Sequence, residues 1–262
     1  MHEYIDAFKA AMMRTDAIAG GLSNYPLRIT PGLKIDIPQI VDAIARDFSE
    51  FLPHTDVLPG KCFRVARELS YILLELGVRH TVTVGDIELV DGLYVGLDLE
   101  QLQRDVAGGY GLDFQDGRPV GRPINAHAWI TLENGCVIDT TILPSQHRKS
   151  QNPSELLSFA ESVYFSGKQH TPVVRHMPMM TGLVYHQLVL IGEGDGDAQN
   201  YCQWSEDYAR LMGRLDLVRL VPALRPNDFK ELNPGLIGTG LEFDEMAQLI
   251  GVEGSIGASK NG

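Results

Sequence analysis

The chain has 262 residues, 34 of them acidic and 22 basic, for a formal net charge of −12. That length can bury a full core without disulfide or metal staples, and 27 glycines with 14 prolines stay below collagen-like or low-complexity composition. The acidic balance, with no Lys/Arg-rich run, argues against nucleic acid and anionic membranes as partners. Apolar runs such as 71–74 and 188–191 fall far short of the roughly 18–20 residues that a membrane span needs. The first six residues are partly acidic and do not resemble a secretory signal, so a cytoplasmic location is expected. Cys62, Cys136 and Cys202 are odd in number and widely spaced, with no CxxC pair. They suggest neither a disulfide framework nor structural zinc, and a reducing compartment fits.

In chain order, Tyr4, Ile5, Phe8, Ala11 and Met12 recur at helical spacing, and Gly20-Gly21 ends that segment. Ile37, Ile40, Val41, Ile44, Phe48 and Phe51 form a second stripe, with Asp36 as N-cap and Pro38 in the first turn. Residues 52–60 read as a loop. A helix follows over 61–76, apolar around most of its circumference and therefore buried, and closed by Gly77. The period then changes to two at Val78, His80, Val82 and Val84; Ile87 and Leu89 continue on the other parity, so Gly85-Asp86 is expected to be a bulge or turn. A short helix is expected over 98–107 and a loop over 108–124. Residues 125–133 form a strand with Ala128, Ile130 and Leu132 on one face. Asn134-Gly135 reads as a two-residue hairpin turn, and 136–141 as the returning strand. A helix over 154–163, an apolar strand over 183–191, a polar turn over 192–200, an amphipathic helix over 202–218 and a small polar tail over 251–262 complete the reading.

The chemistry concentrates at Cys62, which stands at the start of the buried helix just after Pro59-Gly60. Unpaired N–H groups and the partial positive charge of a helix start stabilise a thiolate, the nucleophilic form. The same N–H groups can hold an oxyanion, and Gly60 would let a substrate approach the backbone. His127 lies on the strand face away from Ala128, Ile130 and Leu132. A strict two-residue turn would set Ile130 opposite Asp139 and leave Asp139 on the wrong face for His127. One extra loop residue, or a bulge, would move Asp139 opposite Thr131 and onto the His127 face. A thiol needs a base, and the base an orienting carboxylate; Cys62, His127 and Asp139 supply that set.

The blocks Gly-Lys-Cys-Phe-Arg-Val-Ala-Arg-Glu-Leu (60–69), Leu-Glu-Leu-Gly-Val (74–78), Asn-Ala-His-Ala-Trp-Ile (125–130) and Val-Ile-Asp-Thr-Thr (137–141) resemble the transglutaminase-like superfamily. The resemblance covers residues 55–142. It implies a papain-like α+β fold, with a Cys-bearing helix packed on an antiparallel sheet and helical extensions at both ends. It divides the chain into an N-terminal helical segment (1–52), a catalytic core (53–195) and a C-terminal helical extension with a tail (196–262). It also implies Cys62 as nucleophile, His127 as general base and acid, and Asp139 as orienting residue. The position after the cysteine, often Trp in the family, is Phe63. His54, Thr55 or Asn125 are the candidates for an upstream oxyanion donor. Arylamine N-acetyltransferases share the triad order but carry Arg-Gly-Gly before the catalytic region, where this chain has Leu-Pro-Gly-Lys.

Arg118 and Arg122, in the loop entering the His127 strand, are candidates for binding an anionic group of the substrate; Trp129 and His54 complete that candidate set. Cys136 and Cys202 read as structural, and His186 as a core histidine. His170 and His176, among methionines, match no metal-ligand spacing. Glu193, Asp195 and Asp197 lack the distal Glu of a calcium loop. The expected activity is thiol-dependent acyl transfer on an amide bond of a peptide, protein or small acyl substrate, without cofactor or metal. A peptidase or amidase is favoured, with an acyltransferase or a non-catalytic binding module as alternatives.

Overall fold

The computed structural model describes residues 2–19, 27, 29–30, 32–76, 78–107, 113–115, 118–120, 125–150, 156–166 and 174–181. The expected strand over 183–191, the helix over 202–218, the tail, Arg122, His170, His186 and Cys202 lie outside the described residues. The fold is α+β; among the described residues six helices and a 3-10 turn accompany an antiparallel sheet.

Helix α1 (His2–Ala19) and helix α2 (Ile37–Phe51) come first. Asp36 caps α2 by accepting from the Gln39 N–H at 3.2 Å, and Pro38 sits in the first turn, where its missing N–H costs nothing. A 3-10 turn (Thr55–Val57) interrupts the following loop, and helix α3 (Cys62–Glu75) succeeds it. Then come β1 (His80–Leu89), β2 (Gly92–Leu93), α4 (Leu99–Ala107), β3 (Asp113–Gln115) and β4 (Arg118–Val120). The segment expected to be a plain loop over 108–124 thus holds a short β3–β4 hairpin. β5 (His127–Leu132), β6 (Val137–Asp139), α5 (Ile142–Lys149), α6 (Phe159–Ser162), β7 (Tyr164–Phe165) and β8 (Arg175–Thr181) follow. Of the expected helix over 154–163, the described residues 156–163 hold the single turn of α6, started by a Ser158–Glu161 capping box.

The main sheet runs β2-β1-β5-β6-β7, and β8 pairs with β1. On one face, Val65, Ala66, Leu69, Ile72 and Leu73 of α3 share a core with Val82, Val84, Ala128, Ile130 and Leu132, joined by Ile40, Ile44 and Phe48 of α2. The other face is buried too. There Trp129, Ile87, Val137, Ile142 and Tyr164 form a second cluster against Tyr4 of α1. The Trp129 indole donates to the Tyr4 hydroxyl at 2.9 Å, which is 2.6 Å from Thr131 Oγ1, itself 2.7 Å from Thr83 Oγ1. This ladder satisfies polar groups between α1 and the sheet that would otherwise be costly to bury.

The change of parity in β1 marks no bulge in that strand: Val82 and Val84 face the α3 core and Ile87 faces the second cluster, so both faces of β1 are buried. β1 runs unbroken through Gly85, and the irregularity lies in its partner. Val84 pairs with Met180 and Gly85 with Pro178, so Met179 of β8 is the extra residue. Proline is tolerated in a strand at such a point. Carbonyls freed there are taken up by Arg14, whose Nε donates to Met179 O at 3.0 Å and Nη2 to Pro178 O at 3.1 Å. A Cβ on Gly85 would lie 2.1 Å from Met177 O and 2.9 Å from the Trp129 ring, so only glycine fits.

The β5–β6 connection also differs from the expected two-residue turn. Ile130 faces Ile138 and Thr131 faces Val137, and Leu132 N–H donates to Cys136 O. The loop is therefore Glu133-Asn134-Gly135, with the Gly135 N–H donating back to Leu132 O at 2.8 Å. Gly135 has φ +79°, the left-handed residue that closes a three-residue hairpin loop. Contacts distant in sequence hold the loop. A Cβ on Gly135 would meet Ile5 of α1 at 2.7 Å. Glu133 pairs with Arg79 at 3.3 Å, both almost fully buried, and Glu133 O accepts from the Thr30 N–H.

Candidate active site

The thiol is placed by a short local device. Lys61 N–H donates to Leu58 O at 3.1 Å, and Gly60 between them has φ +78°. With Pro59 second and Gly60 third, this is a type II turn built from the residue types that geometry demands. It delivers the chain directly into α3, whose first helical residue is Cys62. Space beside Gly60 is open: among the described residues nothing lies within 4 Å of where a Cβ would stand. Cys62 is half-buried, whereas Cys136 is buried, and burial pushes the Cys136 thiol up. Cys62 Sγ is 3.8 Å from Ala126 O, at the entrance to β5.

His127, the next residue, is fully buried, and its Nε2 lies 2.7 Å from Asp139 Oδ2. The three-residue hairpin loop makes this contact possible. With Ile138 opposite Ile130, Asp139 comes level with Trp129 on the His127 face, two positions nearer His127 than the expected placement opposite Thr131. An ionised carboxylate only accepts, so Nε2 carries the hydrogen and Nδ1 is the basic nitrogen of the neutral ring. Nδ1 is buried and makes no hydrogen bond among the described residues. The Cys62 side chain is near enough to this ring to favour its protonation.

Asp139 is the hub. Its Oδ1 accepts from the Thr141 N–H at 2.9 Å, the Thr141 hydroxyl at 3.1 Å and the Ile142 N–H at 3.2 Å. These donors belong to the start of α5, so the residue that ends β6 also caps the next helix. Its Oδ2 accepts a second imidazole as well: His176 Nε2 of β8, at 3.0 Å. Burial opposes charge on Asp139, but the His127 charge and hydrogen bond, then those of His176, prevail and hold its carboxyl far below the usual carboxylate range. Burial likewise opposes charge on His127, yet Asp139 and Cys62 outweigh it and keep the imidazole well above the ordinary histidine value. For His176 burial wins, and its pKa is lowered.

Aromatic rings wall in the two histidines. Trp129 stacks on His127 at 5.9 Å and meets His176 edge-on at 4.9 Å; Tyr164 lies 4.9 Å from His176. Tyr94 stands edge-on to His127 at 5.4 Å, with Lys149 Nζ 5.0 Å from its ring centre. Tyr94 is held there from a distance. Buried Asp86 accepts four backbone N–H groups, from Ile87, Val95, Gly96 and Leu97, and so ties the 92–97 loop to β1.

Among the residues singled out from the sequence, Cys62, His127 and Asp139 come together. Trp129 is 1% exposed and lies behind the imidazole rather than on a substrate-facing surface. His54 is partly exposed in the loop before the 3-10 turn and pairs with Asp56. Thr55 is buried and donates to Leu157 O. Arg118 lies on β4, for which only the backbone is described. Sequence reasoning weighed His176 only as a metal ligand and missed its place beside Asp139, because it sits in a Pro-interrupted stretch without strand alternation. It also missed Tyr94 and Asp86, whose roles arise from contacts across a loop. A cavity of about 530 Å³ between α1 and β8 is walled by Tyr4, Arg14, Tyr164, Arg175 and His176; neither Cys62 nor His127 lines it. Among the described residues no helix is long and apolar enough to cross a membrane. No protein-family model matches the chain, and neither a curated protein nor a solved structure is found to be similar to it.

Proposed function

We propose that the chain is a cysteine-dependent acyl-transfer enzyme with a transglutaminase-like, papain-like core, acting as a peptidase or amidase. The observation that carries the reading is one imidazole serving two partners: His127 Nε2 bonds to Asp139 at 2.7 Å, while Nδ1 is left free in the neighbourhood of the Cys62 thiol. Transfer of the thiol proton to Nδ1 gives a thiolate and an imidazolium, the latter stabilised by Asp139. The sulfur attacks the amide carbonyl, and N–H groups at the start of α3 donate to the oxyanion. The C–N bond breaks as His127 returns its proton to the leaving amine, giving a thioester on Cys62. Water then attacks the thioester, His127 takes its proton, and the acid leaves as the thiol is restored. An amine in place of water would make the same site a transferase. Neither route calls for a metal or cofactor.

The test is competitive alkylation. With substoichiometric iodoacetamide at pH 6–7, Cys62 should be modified at least about ten-fold faster than Cys136 and Cys202, located by peptide mass spectrometry. Equal rates at the three cysteines in the folded protein would overturn the reading. A covalent mass increment on Cys62 from peptide or acyl donors, lost on Cys62→Ala, would then identify the acyl group.

A further inference from the structure

The acyl-transfer steps use one histidine, yet Asp139 Oδ2 binds two. His176 Nε2 lies 3.0 Å from the same oxygen that accepts from His127. We propose that His176 is a positioning residue for the thiol–imidazole pair: its Nε2–H fixes the Asp139 carboxylate in the orientation that holds His127. This rests on the acyl-transfer reading above.

The geometry supports it from three sides. A carboxylate offers roughly four lone-pair sites, and Asp139 takes five donors, three on Oδ1 and two on Oδ2. Oδ1 is pinned by the backbone of α5, so the plane of the group is set by what holds Oδ2. His127 cannot set it alone, because its ring must respond to the thiol and change charge during the reaction. His176 can, because its own ring is clamped between Trp129 and Tyr164, each 4.9 Å away, and is almost fully buried. Trp129 also stacks on His127, so both imidazoles share one aromatic wall.

The ionisable groups packed around His176 are Asp139 on β6, His127 on β5, Tyr164 on β7 and Tyr4 on α1, with Glu3 and Arg175 at the wall of the adjoining cavity. Asp139 is the anion among the buried ones, and His127 is the group it must serve as a cation. A second imidazolium at His176 would be repelled by the first, so His176 acts as a neutral donor. Removing its N–H leaves the carboxylate free to turn, which slows the thiol. A carboxylate turned from His127 holds the imidazolium less well, which lowers the pH at which His127 loses its proton and raises the pH at which Cys62 becomes a thiolate.

The experiment measures Cys62 alkylation by iodoacetamide from pH 5 to 10 in the full chain, in wild type, His176→Phe and His176→Gln. Phe keeps a ring and loses the donor; Gln keeps an N–H near the same place. The Phe variant should lose about five- to ten-fold in rate near pH 7 and show the rising limb of its profile displaced upward by about half a pH unit or more. Gln should recover most of both. A folded Phe variant whose pH profile superimposes on wild type would overturn the proposal. If the Phe variant does not fold, ¹⁵N-histidine NMR of the unmodified protein decides: the proposal requires neutral His176 protonated on Nε2, and an Nδ1–H tautomer would refute it. Should wild-type Cys62 react no faster than Cys136, the acyl-transfer reading fails, a result separate from a reactive Cys62 that ignores His176.

Discussion

Replacing Asp139 by Asn changes one atom and reverses the logic of the site. Oδ1 of Asp139 accepts from two backbone N–H groups and a hydroxyl at the start of α5. Those backbone donors cannot rotate away, so the amide oxygen of Asn must take that side and its NH₂ must face the two histidines. A donor now meets His127 Nε2, which must become an acceptor. The neutral ring then carries its hydrogen on Nδ1 and presents a donor, not a base, toward Cys62. The imidazolium also loses its charged partner. A hydrogen bond to a charged group contributes about 1.5–3 kcal/mol, which corresponds to roughly one to two pH units in the protonation of His127. Iodoacetamide alkylation of Cys62 at pH 6 should therefore fall by about 10- to 100-fold. Turnover of an acyl substrate should fall further, by about 10³- to 10⁴-fold, because tautomer as well as charge is wrong. Circular dichroism and urea unfolding would first establish that the variant is folded. A folded Asp139→Asn protein that alkylates within two-fold of wild type would refute the reasoning.

Gly85→Ala should cost about 3 kcal/mol or more in urea unfolding, since its methyl group would sit 2.1 Å from Met177 O and force β1 and β8 apart; a change below about 1 kcal/mol would show that the bulge yields easily. Asp86→Ala strips the acceptor from four backbone N–H groups. It should cost about 2–4 kcal/mol and speed hydrogen exchange at the amides of Val95, Gly96 and Leu97, read by NMR or mass spectrometry. Burial lowers the pKa of His80 to about 4, partly offset by its hydrogen bond to Val78, while its Nε2 lies 2.6 Å from Ser70 Oγ. The unfolded chain binds that proton near pH 6.5, so between about 4 and 6.5 the unfolded state holds more protons. The contribution is present above pH 6.5 and lost as pH falls toward 4. Wild type should lose roughly 2 kcal/mol more between pH 7 and pH 5 than His80→Gln, by urea unfolding at both values.

The features written locally in the chain are those that depend on a few neighbouring residues. Pro59-Gly60 makes the turn that aims Cys62 into α3, Asp36 caps α2, and alternation separates Ala128, Ile130 and Leu132 from His127 and Trp129. The residue types for thiol chemistry are legible for the same reason, because Cys62 needs only a helix start and His127 only a strand. Three other features needed the tertiary structure. Asn134-Gly135 suggests a two-residue turn, yet Gly135 packed on Ile5, with Glu133 held by Arg79 and Thr30, makes it three. That single residue moves Asp139 across the sheet to His127. β8 was hidden because Pro178 breaks the alternation, and it becomes a strand only where Gly85 gives its backbone room. His176 reached Asp139 on that strand, 37 positions along the chain. Sequence by itself determined which chemical groups the protein has and the local geometry that presents them. Register and partnership were decided by tertiary contacts, because shifting a strand by one residue leaves its local preferences almost unchanged while turning every side chain to the opposite face.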